Sequence, residues 1–323
     1  MIDYTRRRFL KAGTAALGLA SLVSLRAVGR RAVGESPAAK LQFGLQLYTV
    51  DAEMHKDLPG TLRAVREIGY RDVELVGWYG RSAQELRRAL AAADLRCVSI
   101  HLRPQQVVGA LPSLEQDPEW HLRACRELGV RYLVCPGPWL PERIMRDFGQ
   151  QQATKQSVME AVGRFEPADW RRSAELLNGL GQKAHAHGIQ LLYHNGNFEF
   201  VTAGSEGTGY DVLLEATDPV LVQLEIDCGW VASAGKDPLS YLASQRGRVP
   251  LIHIKDMNLT APNVAMQIES TEIGSGIVNW PVLLHAAQAA GVKYAFAEQE
   301  EPFVHPPLES SRMNLRYLSH LKL

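Results

Sequence analysis

From Leu41 onward, short apolar runs alternate with longer stretches whose apolar residues recur every three or four positions. The short runs predict strands at Gln42–Tyr48, Asp72–Val76, Arg96–His101, Tyr132–Cys135, Gln190–His194, Val222–Asp227, Leu251–Lys255 and Tyr294–Glu298. The longer stretches predict helices at Leu58–Ile68, Ser82–Ala93, Pro118–Leu128, Ala168–His187, Tyr210–Ala216, Pro238–Ser244, Trp280–Ala290 and Leu308–Leu321. Helix gives way to strand at Gly69, Asp94, Gly129, Gly188 and Gly291, residue types suited to the left-handed turn that ends a helix. No Gly-rich phosphate loop follows the first strand, where Leu47-Tyr48-Thr49-Val50-Asp51 stands instead, which argues against a doubly wound open sheet. The pattern predicts an α/β fold, a single closed (β/α)8 TIM barrel over residues 41–323. Two long insertions, Pro136–Pro167 with Gln150–Gln152 and Asp256–Gly276 with Thr260–Pro262, fall where functional loops of such a barrel belong.

The strand ends carry the polar residues. In Gln223–Trp230, Glu225 and Asp227 fall on one face of a buried-looking strand, which is costly unless a positive group neutralises them. His194, Asp227, His253 and Glu298 end the last four strands, so all four converge at one mouth. This mixed imidazole and carboxylate set suits one divalent metal ion: Mn, Co, Zn, Mg or Fe. Each residue alone reads equally well as a satisfied polar strand end; four at equivalent positions favour a metal. Lys255 shares a strand face with His253, where it would hold a substrate oxygen or donate a proton with its pKa depressed by the ion. An ion pair with Glu225 or Glu300 is the plainer alternative. His101 and Glu74 would line the opposite wall, His101 as a substrate contact. Tyr48 and Trp230 offer faces for sugar C–H groups, although Trp230 reads almost as well as a buried plug. His185 and His187 lie on opposite sides of their helix and form no metal pair.

Composition adds limits. The 323 residues carry 35 basic and 35 acidic side chains, a formal net charge of zero, which gives no reason to expect nucleic acid or an anionic membrane as a partner. The four cysteines, Cys97, Cys125, Cys135 and Cys228, have no CxxC spacing and are expected as free buried thiols. Near the start, paired Arg6 and Arg7 precede Phe9-Leu10-Lys11 and an apolar run, Ala12–Val23, too short and too rich in Gly and Ala to span a bilayer stably. This matches a twin-arginine signal, so residues 1–40 are expected to be a signal peptide and linker, and the protein to be exported or periplasmic. A homo-oligomer is left open.

The ordered set of strand motifs resembles the sugar phosphate isomerase/epimerase-like TIM barrels of the xylose isomerase-like superfamily, from about Leu41 to Leu321. The motifs are Leu45-Gln-Leu-Tyr48, Val73-Glu74-Leu75, Ser99-Ile-His101, Tyr193-His194-Asn195-Gly-Asn-Phe198-Glu199-Phe200, Glu225-Ile-Asp227-Cys-Gly-Trp230, His253-Ile-Lys255-Asp256 and Glu298-Gln-Glu300. The resemblance implies one metal held by His194, Asp227, His253 and Glu298. Many relatives have Glu at the fifth strand, which makes Glu199 the substitute for His194. Relatives that read His-Asn-His there keep a histidine where this chain has Gly196, leaving Asn195 as a substrate contact.

The implied activity is isomerisation or epimerisation of a non-phosphorylated sugar or ketose-like molecule. A base removes the proton beside a carbonyl, and a metal stabilises the resulting enediolate. Glu298, Lys255 and Glu199 are the expected catalytic groups. A 3-keto-glycoside lyase using the same proton abstraction for β-elimination is the alternative, and a sugar-binding barrel without chemistry is the second. The apurinic endonucleases of the superfamily need more His ligands and a basic face; this chain has Trp230 where they have His.

Overall fold

The computed structural model describes residues 40–105, 113–148, 155–200, 207–258 and 269–323. The paired arginines, Gln150–Gln152 and Thr260–Pro262 lie outside the described residues. Eight parallel strands close into a barrel: β1 (Gln42–Gln46), β2 (Asp72–Val76), β3 (Arg96–His101), β4 (Tyr132–Pro136), β5 (Gln190–His194), β6 (Val222–Asp227), β7 (Leu251–Ile254) and β10 (Tyr294–Ala297), with β1 paired to both β2 and β10. Two further strands, β8 (Asp256–Met257) and β9 (Ser270–Thr271), form a separate antiparallel hairpin in the loop after β7. No helix among the described residues is long and apolar enough to cross a membrane.

The predicted joints hold. Gly69, Gly129, Gly188 and Gly291 all have positive φ, and Asp94 adopts φ 54° without being glycine. Its carboxylate accepts hydrogen bonds from Arg66 Nε at 3.0 Å and Arg71 Nη1 at 2.8 Å, contacts that offset the backbone cost. Helix starts are marked by side-chain caps: Ser82 and Thr208 form capping boxes with Glu85 and Asp211, and Asp57, Asp117 and Asn279 each accept a backbone N–H ahead of a proline.

Alternation along the strands divides the apolar residues in two. The larger cluster packs outward-facing strand residues such as Leu133, Leu191 and Ile252 against helix residues such as Leu122, Leu177 and Leu284. A smaller cluster, Val98, Tyr132, Val134, Leu192, Leu251 and Phe296, fills the barrel interior. Leu192, Leu251 and Phe296 precede His194, His253 and Glu298 by two residues, so each shares a face with a polar residue one step nearer the mouth. β3 carries one extra residue against β2: Val73 pairs with Cys97 but Glu74 with Ser99. The bulge leaves Val98 in the interior cluster.

The structure adds elements that the pattern did not predict. The insertion after β4 contains helices Glu142–Phe148 and Lys155–Val162, and a six-residue helix, Cys228–Ser233, starts directly after β6. The strand predicted over Gln42–Tyr48 ends at Gln46, where a 3-10 turn over Leu47–Val50 begins. The four cysteines are free thiols; Cys125, Cys135 and Cys228 are buried and Cys97 is partly so.

Candidate metal centre at the barrel mouth

Register sets the side chains beside one another. His194 lies opposite Glu225 across β5 and β6, Asp227 opposite His253 across β6 and β7, and Gln46 opposite Glu74 across β1 and β2. An eight-stranded barrel is only wide enough for its interior side chains to meet. The polar residues above the apolar floor therefore form one network.

Its inner part centres on Glu74 and Glu225, both wholly buried. Glu74 Oε1 accepts from Gln46 Nε2 at 2.6 Å and lies 3.0 Å from His101 Nε2 and 2.7 Å from His253 Nε2. Glu225 Oε2 lies 2.8 Å from His101 Nε2, 3.0 Å from His194 Nδ1 and 3.2 Å from His253 Nε2. His101 and Glu74 were expected on the wall opposite the ligand set. Instead they touch its members, because the interior is too narrow for two walls.

The outer part centres on Lys255, whose ammonium is 1% exposed. Lys255 Nζ lies 2.6 Å from Glu300 Oε1, 2.9 Å from Glu298 Oε2 and 3.1 Å from Asp227 Oδ2. His253 links the two parts: its Nδ1 is 2.8 Å from Glu298 Oε2 and 3.8 Å from Asp227 Oδ2. His194 Nε2 is 4.0 Å from Asp227 Oδ2. The four side chains nominated by the strand ends thus face one another in one cavity.

Protonation follows from the neighbours. Burial pulls the His101 imidazole down, but Glu74 and Glu225 outweigh it and leave its pKa raised to about 9. Burial acts likewise on His253, and Glu225 and Glu298 carry it well above the imidazole range. His194 is lowered by burial and by the charge of His253, so it stays neutral. Burial tends to raise Glu225 and Glu298, yet the imidazoles, and for Glu298 the Lys255 ammonium first, hold both well below the usual carboxylate range. Lys255 departs from the expectation of a depressed pKa. Burial does lower it, but Asp227, Glu298 and Glu300 together raise it well above the usual lysine value. Of the two ion pairs weighed for it, the one with Glu300 forms and the one with Glu225 does not.

Other nominated residues take different places. Glu199, expected to face substrate or replace His194, lies behind β5: Tyr193, which alternates with His194 and points outward, donates its hydroxyl to Glu199 Oε1 at 2.8 Å. Burial raises the Glu199 carboxyl to about 7. Asn195, expected to touch substrate, is wholly buried. Its Oδ1 accepts from Asp227 N at 3.1 Å, and its Nδ2 donates to Asp227 O at 3.3 Å and to Gly196 O at 3.0 Å, so it braces Asp227. Trp230 is 5% exposed, and the Lys255 ammonium sits 4.7 Å from the centre of its ring, a cation–π contact in place of an open sugar platform. Tyr48, 37% exposed, is the aromatic residue open to solvent. Its hydroxyl is pushed up to about 12 by burial and then by Glu300 and Glu298, which places it beside the outer carboxylates. Gly229 allows the helix after β6 to close on β7, since a Cβ there would overlap the Lys255 carbonyl oxygen.

Residues that sequence reasoning left without a role include Glu225, Gln46, Glu300 and Asp256. Glu225 could have been found from its position two residues before Asp227 on the same face. The donor set fits a divalent ion on two grounds. Five carboxylates (Glu74, Glu225, Asp227, Glu298 and Glu300) face one ammonium in the network, and the buried oxygens Glu74 Oε2, Glu225 Oε1 and Asp227 Oδ2 make no hydrogen bond. Asp227 Oδ2 touches the ammonium at 3.1 Å without hydrogen-bond geometry.

Residues 62–319 match the profile of the xylose isomerase-like TIM barrel family. The chain belongs to that family. An inosose dehydratase from Clostridium tetani is 25% identical over 199 residues, which cover 62% of this chain and 63% of the relative, so the chain spans less than two thirds of that protein's length. Among solved structures, a sugar phosphate isomerase/epimerase from Parabacteroides distasonis superposes with a TM-score of 0.65 at 24% identity, covering 88% of this chain and 95% of the other. A 3-keto-D-glucoside 4-epimerase from E. coli superposes with a TM-score of 0.58 at 18% identity, covering 87% of this chain and 99% of the other.

Proposed function

We propose that this protein is a divalent-metal-dependent enzyme acting on a non-phosphorylated sugar-derived ketone, and that it isomerises or epimerises the substrate after removing a proton from the carbon beside the carbonyl. The observation that carries this reading is the pairing of an ionised Glu298 carboxylate with a protonated Lys255 ammonium, 2.9 Å apart at the mouth of the buried polar network. Glu298 Oε2 would take the proton from carbon. Lys255 Nζ–H would hold the neighbouring oxygen as charge develops on it, and its raised pKa keeps it a donor rather than a base. Glu300 fixes the ammonium, and Tyr48 gives the sugar an aromatic edge at the opening. A bound divalent ion would stabilise negative charge on that oxygen. His194 and His253 would help hold it, with Asp227 and Glu298 from the strand-end set or with His101 and Glu225 from the inner set.

A second reading shares the first step. If the substrate carries a leaving group β to the carbonyl, proton removal by Glu298 leads to elimination. The dehydratase name of the Clostridium tetani relative favours that outcome, as does an exported location for a lyase acting on a 3-keto-glycoside. Product analysis separates the two: retained composition for an isomerase or epimerase, loss of water or an alcohol for a lyase. The shared step is tested with Glu298→Gln. The variant is expected to fold normally and to exchange the carbon-bound proton beside the carbonyl at least ~10²-fold more slowly than wild type. Exchange at the wild-type rate would remove Glu298 as the base.

A further inference from the structure

Within the inner part of the network, three ring nitrogens converge on a single oxygen. His101 Nε2, His194 Nδ1 and His253 Nε2 lie 2.8, 3.0 and 3.2 Å from Glu225 Oε2. A carboxylate oxygen has about two lone-pair sites, so three donors are one too many, while Glu225 Oε1 has no partner at all. Hydrogen bonding therefore leaves this group oversubscribed at one atom and empty at the next. A cation among the same four side chains takes every one of them as a ligand. One donor atom from each of His101, His194, Glu225 and His253 lies within 4.8 Å of all the others. Ligands ~2.1 Å from a tetrahedral zinc would be roughly 3.4 Å apart, so only a small contraction is needed. The three rings already pack together, with centroids 4.5, 4.9 and 5.4 Å apart.

The strand-end pair is placed differently. Asp227 Oδ2 and Glu298 Oε2 already share the Lys255 ammonium at 3.1 and 2.9 Å. A divalent ion bridging the same two oxygens would stand against a buried like charge.

We propose that the divalent ion of this protein seats on His101, His194, Glu225 and His253, and that Asp227 and Glu298 belong to Lys255. The proposal rests on the metal-dependent reading above and changes its ligands. It makes His101 and Glu225 ligands, and it frees Glu298 to act as the base without also being bound to the ion.

The test uses the full chain loaded with Zn or Co and freed of excess metal. Metal content is measured for wild type, Glu225→Gln, His101→Asn and Asp227→Asn. X-ray absorption of the wild type counts imidazole ligands independently of any substitution. The deeper seat predicts three imidazoles, ion affinity at least tenfold weaker in Glu225→Gln and His101→Asn, and an ion retained in Asp227→Asn. Two imidazoles, or an ion lost from Asp227→Asn and kept by Glu225→Gln, would overturn the seat and leave the metal-dependent reading intact. A wild type that takes up no ion would overturn both.

Discussion

Replacing Lys255 by Met is expected to destabilise the barrel by about 3–5 kcal/mol, because it leaves buried carboxylates without their cation. Asp227, Glu298 and Glu300 all lie within 3.1 Å of the ammonium, which is 1% exposed, so water cannot take its place without opening the mouth. The Met side chain keeps much of the apolar stem against Trp230, so lost packing contributes little. At ~2 °C per kcal/mol for a domain of this size, the thermal midpoint should fall by on the order of 6–10 °C. Turnover should fall further than stability suggests, by roughly 10²–10³-fold, the usual cost of removing a donor aimed at developing oxyanion charge. Thermal unfolding and the pre-steady-state rate of proton exchange check both figures. A variant with an unchanged midpoint would mean that the three carboxylates do not depend on the ammonium.

Asp256→Asn is expected to cost about 3 kcal/mol although the residue touches no part of the proposed chemistry. Its carboxylate is wholly buried and accepts from Met257 N at 3.0 Å, Gly274 N at 2.8 Å, Gly276 N at 3.1 Å, Val278 N at 3.2 Å and Trp280 Nε1 at 2.9 Å. An amide turns one oxygen into an NH2 group that faces other donors. That leaves two or three N–H groups buried and unpaired at about 1–3 kcal/mol each, partly relieved by movement of the loop. In urea the midpoint should fall with little change in slope, since the loss lies in the native state. Activity should fall too. The loop that Asp256 gathers runs alongside the hairpin whose Ser270 hydroxyl accepts from Glu300 N and donates to Glu300 O, both at 2.8 Å, and Glu300 anchors Lys255. A urea midpoint within experimental error of wild type would show that the loop is held by other contacts.

Much of the fold could be read from residue pattern alone, because alternation and helix caps are local. Strands β2, β3, β5 and β6 begin and end at the predicted residues, and Asp94 was rightly grouped with the glycines at the helix ends. The helices at Glu142–Phe148 and Lys155–Val162 were missed because neither a cap nor a strand rhythm marks them within a long insertion. The candidate site was legible in its members and illegible in its radial geometry. Sequence spacing placed His194, Asp227, His253 and Glu298 at one mouth. It gave no measure of the distance across the interior, so His101 and Glu74 were assigned to a separate wall. The sign of the Lys255 shift failed for a related reason. One histidine neighbour is visible in the chain, but the three carboxylates that outweigh burial come from strand ends up to 45 residues away. Glu199 was misplaced because a turn five residues past His194 can return to either side of the strand, and Tyr193 draws it to the outer one.

The central claim is that a divalent ion in this network is needed to remove a proton beside a carbonyl. The direct measurement is deuterium incorporation from D2O into that carbon, followed by NMR on a set of ketone substrates that includes an inosose and a 3-keto-glucoside, with the protein as metal-loaded, chelated and reloaded samples. Incorporation by the loaded protein, a fall of at least ~10²-fold on chelation and recovery on reloading are the predicted results. Equal incorporation with and without the ion would contradict the claim, as would no incorporation by the loaded protein into any substrate of the set.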